Sequence, residues 1–81
     1  MQPIRSPIRV AVVFGPGGKI APKWFELNNR KHEVKLTTYF WRDRVGEALL
    51  MHYAVSDGET LFELVYNTHD QIWSLNSLQA E

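Results

Sequence analysis

Three histidines, His32, His52 and His69, are the side chains of this sequence best suited to proton transfer or metal ligation. A zinc site needs several His, Cys or carboxylate ligands converging on one point. Here the histidines fall on three different expected segments without ligand-like spacing, and there is no cysteine. Each has a simpler role: His32 beside Phe25, His52 across a strand pair from Glu63, and His69 in a loop. The adjacent pair His69-Asp70 could orient a base, but neighbours on a strand point apart, and a nucleophile such as Ser74 lacks identifiable oxyanion donors. Gly15-Pro16-Gly17-Gly18 followed by Lys19 invites comparison with a phosphate cradle. That motif requires a Lys-Ser/Thr pair opening a helix, whereas Lys19 is followed by Ile20 and then Pro22. The expectation is a non-enzymatic chain with no catalytic residue, metal site or cofactor.

Binding chemistry is better represented. Trp24, Lys35, Tyr39 and Trp41 are expected to point outward, with Arg42 and Arg44 directly following and Arg9 joining if the first strand packs alongside. Rings interleaved with cations can stack exposed bases while meeting phosphates. The same mixture of Trp, Tyr and Arg is typical of protein-interface hot spots. Against both stands a structural role, in which the tryptophans cover the end of a small domain and Glu33 beside Trp24 repels phosphate. Arg30, on the inward side of its hairpin, is expected to anchor loop carbonyls or a carboxylate such as Glu63 or Asp70. The expected surface is Trp24, Lys35, Tyr39, Trp41, Arg42 and Arg44, used for a protein partner or for self-association. Single-stranded nucleic acid is the alternative ligand.

Charge is sorted along the chain. Residues 1–44 hold all nine Lys and Arg with three acids, a net +6, and residues 45–81 hold six acids and no Lys or Arg. Such asymmetry marks either a surface for an acidic partner or basic and acidic strands that pair and cancel. Eighty-one residues make one small domain. The run Val10–Phe14 is too short for a membrane span or a signal peptide. Lack of cysteine fits a reducing compartment, so a cytoplasmic, membrane-free protein is expected.

Strands must position these residues. Ile8–Phe14 alternates Val10, Val12 and Phe14 against Arg9, Ala11 and Val13. Asn28-Asn29 tolerates the positive φ of a two-residue turn. That turn would set Leu27 opposite Arg30, Glu26 opposite Lys31, Phe25 opposite His32 and Trp24 opposite Glu33. Continuing the alternation from Arg30 to Trp41 turns Leu36, Thr38 and Phe40 inward and Lys35, Tyr39 and Trp41 outward. Arg42–Glu47 reads as a charged connection. Asp57-Gly58 reads as the next hairpin turn, pairing Tyr53 with Phe62, Met51 with Leu64 and His52 with Glu63. A final strand carries Trp73 and Leu75, although Thr68 and Gln71 match a capping box, which allows a short C-terminal helical turn. The expected fold is all-β: a five- to six-stranded antiparallel barrel or roll over residues 8–78, preceded by a flexible segment, residues 1–7.

With these elements in place, one set of positions stands out: Gly18-x-Ile20-x-Pro22-x-x-Phe25, Arg30-x-x-x-Val34, Trp41, Tyr53-x-Val55, Asp57-Gly58, Phe62-Glu63-Leu64 and Trp73-x-Leu75. Over residues 8–75 the chain resembles a group of small bacterial all-β proteins of SH3-like or OB-like barrel type. Leu27 stands where the group often has an aromatic, and Asn29 where it often has glycine. The resemblance implies a fold and no activity.

Overall fold

The structure, a computed structural model, describes residues 2–80, with side chains from Ser6 onward. Eight strands run β1 (Gln2–Pro7), β2 (Arg9–Phe14), β3 (Ile20–Leu27), β4 (Arg30–Glu33), β5 (Leu36–Val45), β6 (Ala48–Ser56), β7 (Thr60–Asn67) and β8 (Ile72–Ala80). A short 3-10 turn at Pro16–Gly18 completes the β2–β3 loop, and no α-helix forms among the described residues. The strands make two antiparallel sheets, β1-β8-β7-β6-β5 and β2-β3-β4. Among the described residues no helix is long and apolar enough to cross a membrane.

Turn chemistry accounts for the hairpins. Asn28 and Asn29 both have positive φ, 53° and 64°, as a type I′ turn requires. The four expected β3–β4 pairs, from Leu27–Arg30 to Trp24–Glu33, all form. The β5–β6 hairpin closes at Gly46-Glu47 and the β6–β7 hairpin at Gly58-Glu59, with glycine taking positive φ at the first central position of each. This last turn sits one residue later than expected. Tyr53 therefore faces Leu64, Met51 faces Tyr66, and Val55 faces Phe62, a register displaced by two residues. A two-residue slip preserves the faces, because side chains alternate with period two. Asp57 is displaced from the turn centre by its own carboxylate, which accepts the N–H groups of Glu59 and Thr60 at 2.9 and 2.8 Å.

The chain changes sheet twice. At the first corner Ile8 donates its N–H to the Trp73 carbonyl at 3.1 Å as β1 gives way to β2. At the second, Val34 still bonds to Lys23 of the small sheet at 2.9 Å, while Lys35 already bonds to Ser56 of the large one at 2.8 Å. The expected continuous strand from Arg30 to Trp41 is thereby broken in two. The break turns Thr37, not Leu36, toward the opposite sheet. A bulge at Thr38 then restores the phase, so Phe40 faces inward opposite Tyr53 and Trp41 outward opposite His52, as expected.

The core lies between the sheets. Phe25 of the small sheet is fully buried against Tyr53, Val55, Phe62, Leu64 and Leu75 of the large one. Its ring meets Phe62 edge-on at 4.8 Å, and His32 stacks on it at 5.2 Å. Truncating such a buried ring typically costs about 3–5 kcal/mol. Three further features differ from the sequence reading. Residues 68–71 form a turn followed by β8, with no helical turn, because β8 gains ladder bonds from both β1 and β7. Arg42–Val45 continues β5 rather than forming a connection. Residues 2–7, set outside the domain by the sequence reading, are β1, and Met1 lies outside the described residues.

Candidate functional site

The six expected surface residues do not share one face. Trp24 points out from the small sheet among Arg9, Glu26, Lys31 and Glu33. There Arg9 pairs with Glu26 at 3.1 Å, and the Lys31 ammonium lies 4.9 Å from the Trp24 ring centre. That patch is electrically mixed and largely self-satisfied. Lys35 is exposed at the second corner, beside the β6–β7 turn. Tyr39 and Trp41 occupy the outward face of β5 in the large sheet, with ring centres 5.4 Å apart. Arg42 and Arg44, being strand residues in phase with Phe40, fall on the other side of β5. The structure thus joins Tyr39 to Trp41 and Arg42 to Phe40, whose ring centre lies 5.3 Å from the guanidinium.

Trp41 also has structural work. It stacks on His52 at 4.8 Å and nearly parallel, at 13°. His52 Nδ1 lies 2.9 Å from Glu63 Oε2, and an ionised carboxylate only accepts, so the imidazole donates. A turn at Asp57-Gly58 would set these two directly opposite. In the structure they are diagonal neighbours, since Glu63 sits opposite Ala54, and the contact survives because diagonal pairs lie within reach on one face. Asn76 donates to the same carboxylate at 2.9 Å. Trp41 roofs this network, whereas Tyr39 is 65% exposed and covers little.

The other histidines are also paired with carboxylates. His32 Nδ1 meets Asp57 Oδ2 at 3.0 Å, which ties β4 to the β6–β7 turn. His69 meets Asp70 at 3.1 Å in the exposed turn before β8, where backbone geometry lets adjacent side chains converge. Each imidazole thus has its own carboxylate at a separate place, and no group of three or more metal-binding side chains forms among the described residues. Arg30 is exposed at the hairpin end and makes no ion pair among the described residues; Glu63 is taken by His52 and Asn76, and Asp70 by His69.

Charge sorting does not resolve into strand-to-strand pairing. Among the described residues, Arg9–Glu26 is the one ion pair made by a Lys or Arg, and both partners belong to the basic half. Asp57, Glu63 and Asp70 of the acidic half are engaged by histidines instead.

Two further features escaped the sequence reading. The first is the edge of β5, which pairs with β6 on one side only. Leu36, Tyr39, Phe40 and Val45 of this strand are all exposed. The second is a cleft of about 660 Å³ between the β2–β3 loop and the inward side of β5 and β6. Alternation turns Phe40 inward, but only the sheet change at residues 34–35 leaves a gap beside it. No protein-family model, curated protein or solved structure matches the chain.

Proposed function

We propose that this protein is a non-catalytic, cytoplasmic interaction module that accepts an extended segment of another protein along β5. The supporting observation is that ten-residue edge, unpaired on one side and carrying exposed Leu36, Tyr39, Phe40 and Val45. An open strand edge is a template for main-chain hydrogen bonding, and alternate side chains give the selectivity. Tyr39 is the anchor of this surface, with Trp41 as its supported neighbour and Arg42 and Arg44 on the reverse side selecting acidic residues. The barrel-type likeness to small bacterial proteins belongs to the same reading, with the seam beside β5 as the place where closure is incomplete.

Panning a library of ten-residue peptides against the full chain tests it. Enriched peptides should alternate apolar residues, slow amide exchange along β5, and bind about tenfold more weakly to Tyr39→Ala, a loss typical of a hot spot. No enrichment, or binding indifferent to Tyr39, would overturn the reading.

A second reading draws support from the cations of the basic half that make no ion pair among the described residues, Lys35, Arg42 and Arg44 among them: single-stranded nucleic acid bound across β5 and the 42–44 segment. Amide shifts with short single strands that fade steeply as salt rises would favour it. Protein binding at β5 would respond weakly to salt.

A further inference from the structure

The cleft beside β5 has the composition of a ligand site. It opens because β4 pairs with only the Trp24–Leu27 half of β3. The Ile20–Lys23 half thus has no strand on that side, and β5 across the gap has none either. Ile20, Pro22 and Phe40 make its walls apolar. Lys19 and Arg42 are its charged lining residues, no carboxylate lines it, and neither cation is ion-paired among the described residues. On its floor lies Tyr53, only 4% exposed, whose phenol oxygen is buried and has no hydrogen-bond partner. Buried hydroxyls are normally satisfied. Arg42 and Tyr53 line the same cleft; burial raises the Tyr53 pKa and the Arg42 charge opposes that rise. A volume of this size lies within the range of small-molecule sites, where an apolar body is oriented by a few polar groups.

We infer that the cleft binds a small amphipathic anion, its apolar body against Ile20, Pro22 and Phe40 and its charged group between Lys19 and Arg42, with the Tyr53 hydroxyl as donor. Carboxylates and sulfonates share this chemistry. The site does not depend on the strand-acceptor reading, since no peptide is needed to form it.

Calorimetric and amide NMR titrations of the full chain with dodecanoate below its micelle concentration test the proposal. Dodecyl sulfonate, methyl dodecanoate and dodecyltrimethylammonium serve as comparisons. Dodecanoate should bind one to one and shift amides of Gly17–Ala21 together with those of Phe40–Arg42. The ester and the cation should bind at least about tenfold more weakly, consistent with loss of a charge-assisted contact. Tighter binding of the sulfonate than of the carboxylate would identify the preferred headgroup within the same class. Arg42 is exposed, so Arg42→Gln should keep the native amide spectrum while losing about tenfold in affinity. Tyr53→Phe keeps the ring and should lose several-fold. Absence of dodecanoate binding, equal binding of the ester, unchanged affinity in a folded Arg42→Gln, or shifts spread along all of β5 would each overturn the proposal.

Discussion

Asp57 is the residue on which the most local structure converges. Its carboxylate accepts two backbone N–H groups of the β6–β7 turn and the His32 imidazole, which itself packs on Phe25 and Phe62. Burial pushes its pKa upward, but the hydrogen bonds from His32, Glu59 and Thr60 outweigh it and hold the group below its ordinary value of 3.8. Because the folded value is the lower one, this stabilisation is present above the unfolded pKa and lost as pH falls through the folded value. Replacing Asp57 with Ala should lower the unfolding free energy at neutral pH by about 2 kcal/mol, as the turn and His32 lose their acceptor. Urea denaturation between pH 2 and 7 should also show a flatter acid limb for the variant, roughly over pH 2–4. An unchanged limb would mean that Asp57 is not the group responsible.

At the scale of elements, β5 differs from its neighbours in having one pairing partner. β6, β7 and β8 are each flanked on both sides, and β6 and β7 bury Tyr53, Val55, Phe62 and Leu64. Amide hydrogen exchange should therefore divide the large sheet. The amides of β6 and β7 should exchange only through global unfolding, and those of β5 that point away from β6 at rates near loop values. Protection of both edges of β5 in the isolated protein at low concentration would show that something in the chain covers it. The Asn28-Asn29 hairpin is legible in the sequence, since its turn acts over a few residues of backbone, whereas the Gly46-Glu47 turn lies inside the run Arg42–Glu47 that reads as a charged connection. Nor is the displaced register of β6–β7 legible, because Asp57-Gly58 and Gly58-Glu59 both place glycine in a turn. The carboxylate bonds of Asp57 decide between them.

For the molecule as a whole, two local meanders, β2–β4 and β5–β8, are joined by the non-local pairing of β1 with β8. Local hairpins close cheaply, whereas a pairing that spans nearly the whole chain costs more loop entropy. A variant lacking residues 1–7 should still form both meanders but unfold at lower denaturant and faster. It should also associate more readily, because the β8 edge is uncovered. Stopped-flow unfolding and sedimentation velocity would check this, and unchanged unfolding would show that β1 contributes nothing. The distribution of charge belongs to this scale as well. Among the described residues most cations of the basic half make no ion pair, so any steering of acidic ligands by that half should fade with salt.

The sequence by itself determined the strand class, the Asn28-Asn29 hairpin with its register, and the inward or outward sense of Phe25, Phe40, Tyr39 and Trp41. These follow from turn sterics and from the two-residue alternation of a strand, both local. Only the tertiary structure decided that the run from Arg30 to Trp41 breaks at Val34-Lys35, that Thr38 bulges, and that Trp24 and Trp41 stand on opposite outer faces. It also left β3 and β5 facing each other across an unfilled cleft. Those outcomes depend on which distant side chains share a core. Phe25 is fully buried only because the small sheet lies across the large one, and the corner that brings it there opens the seam beside β5.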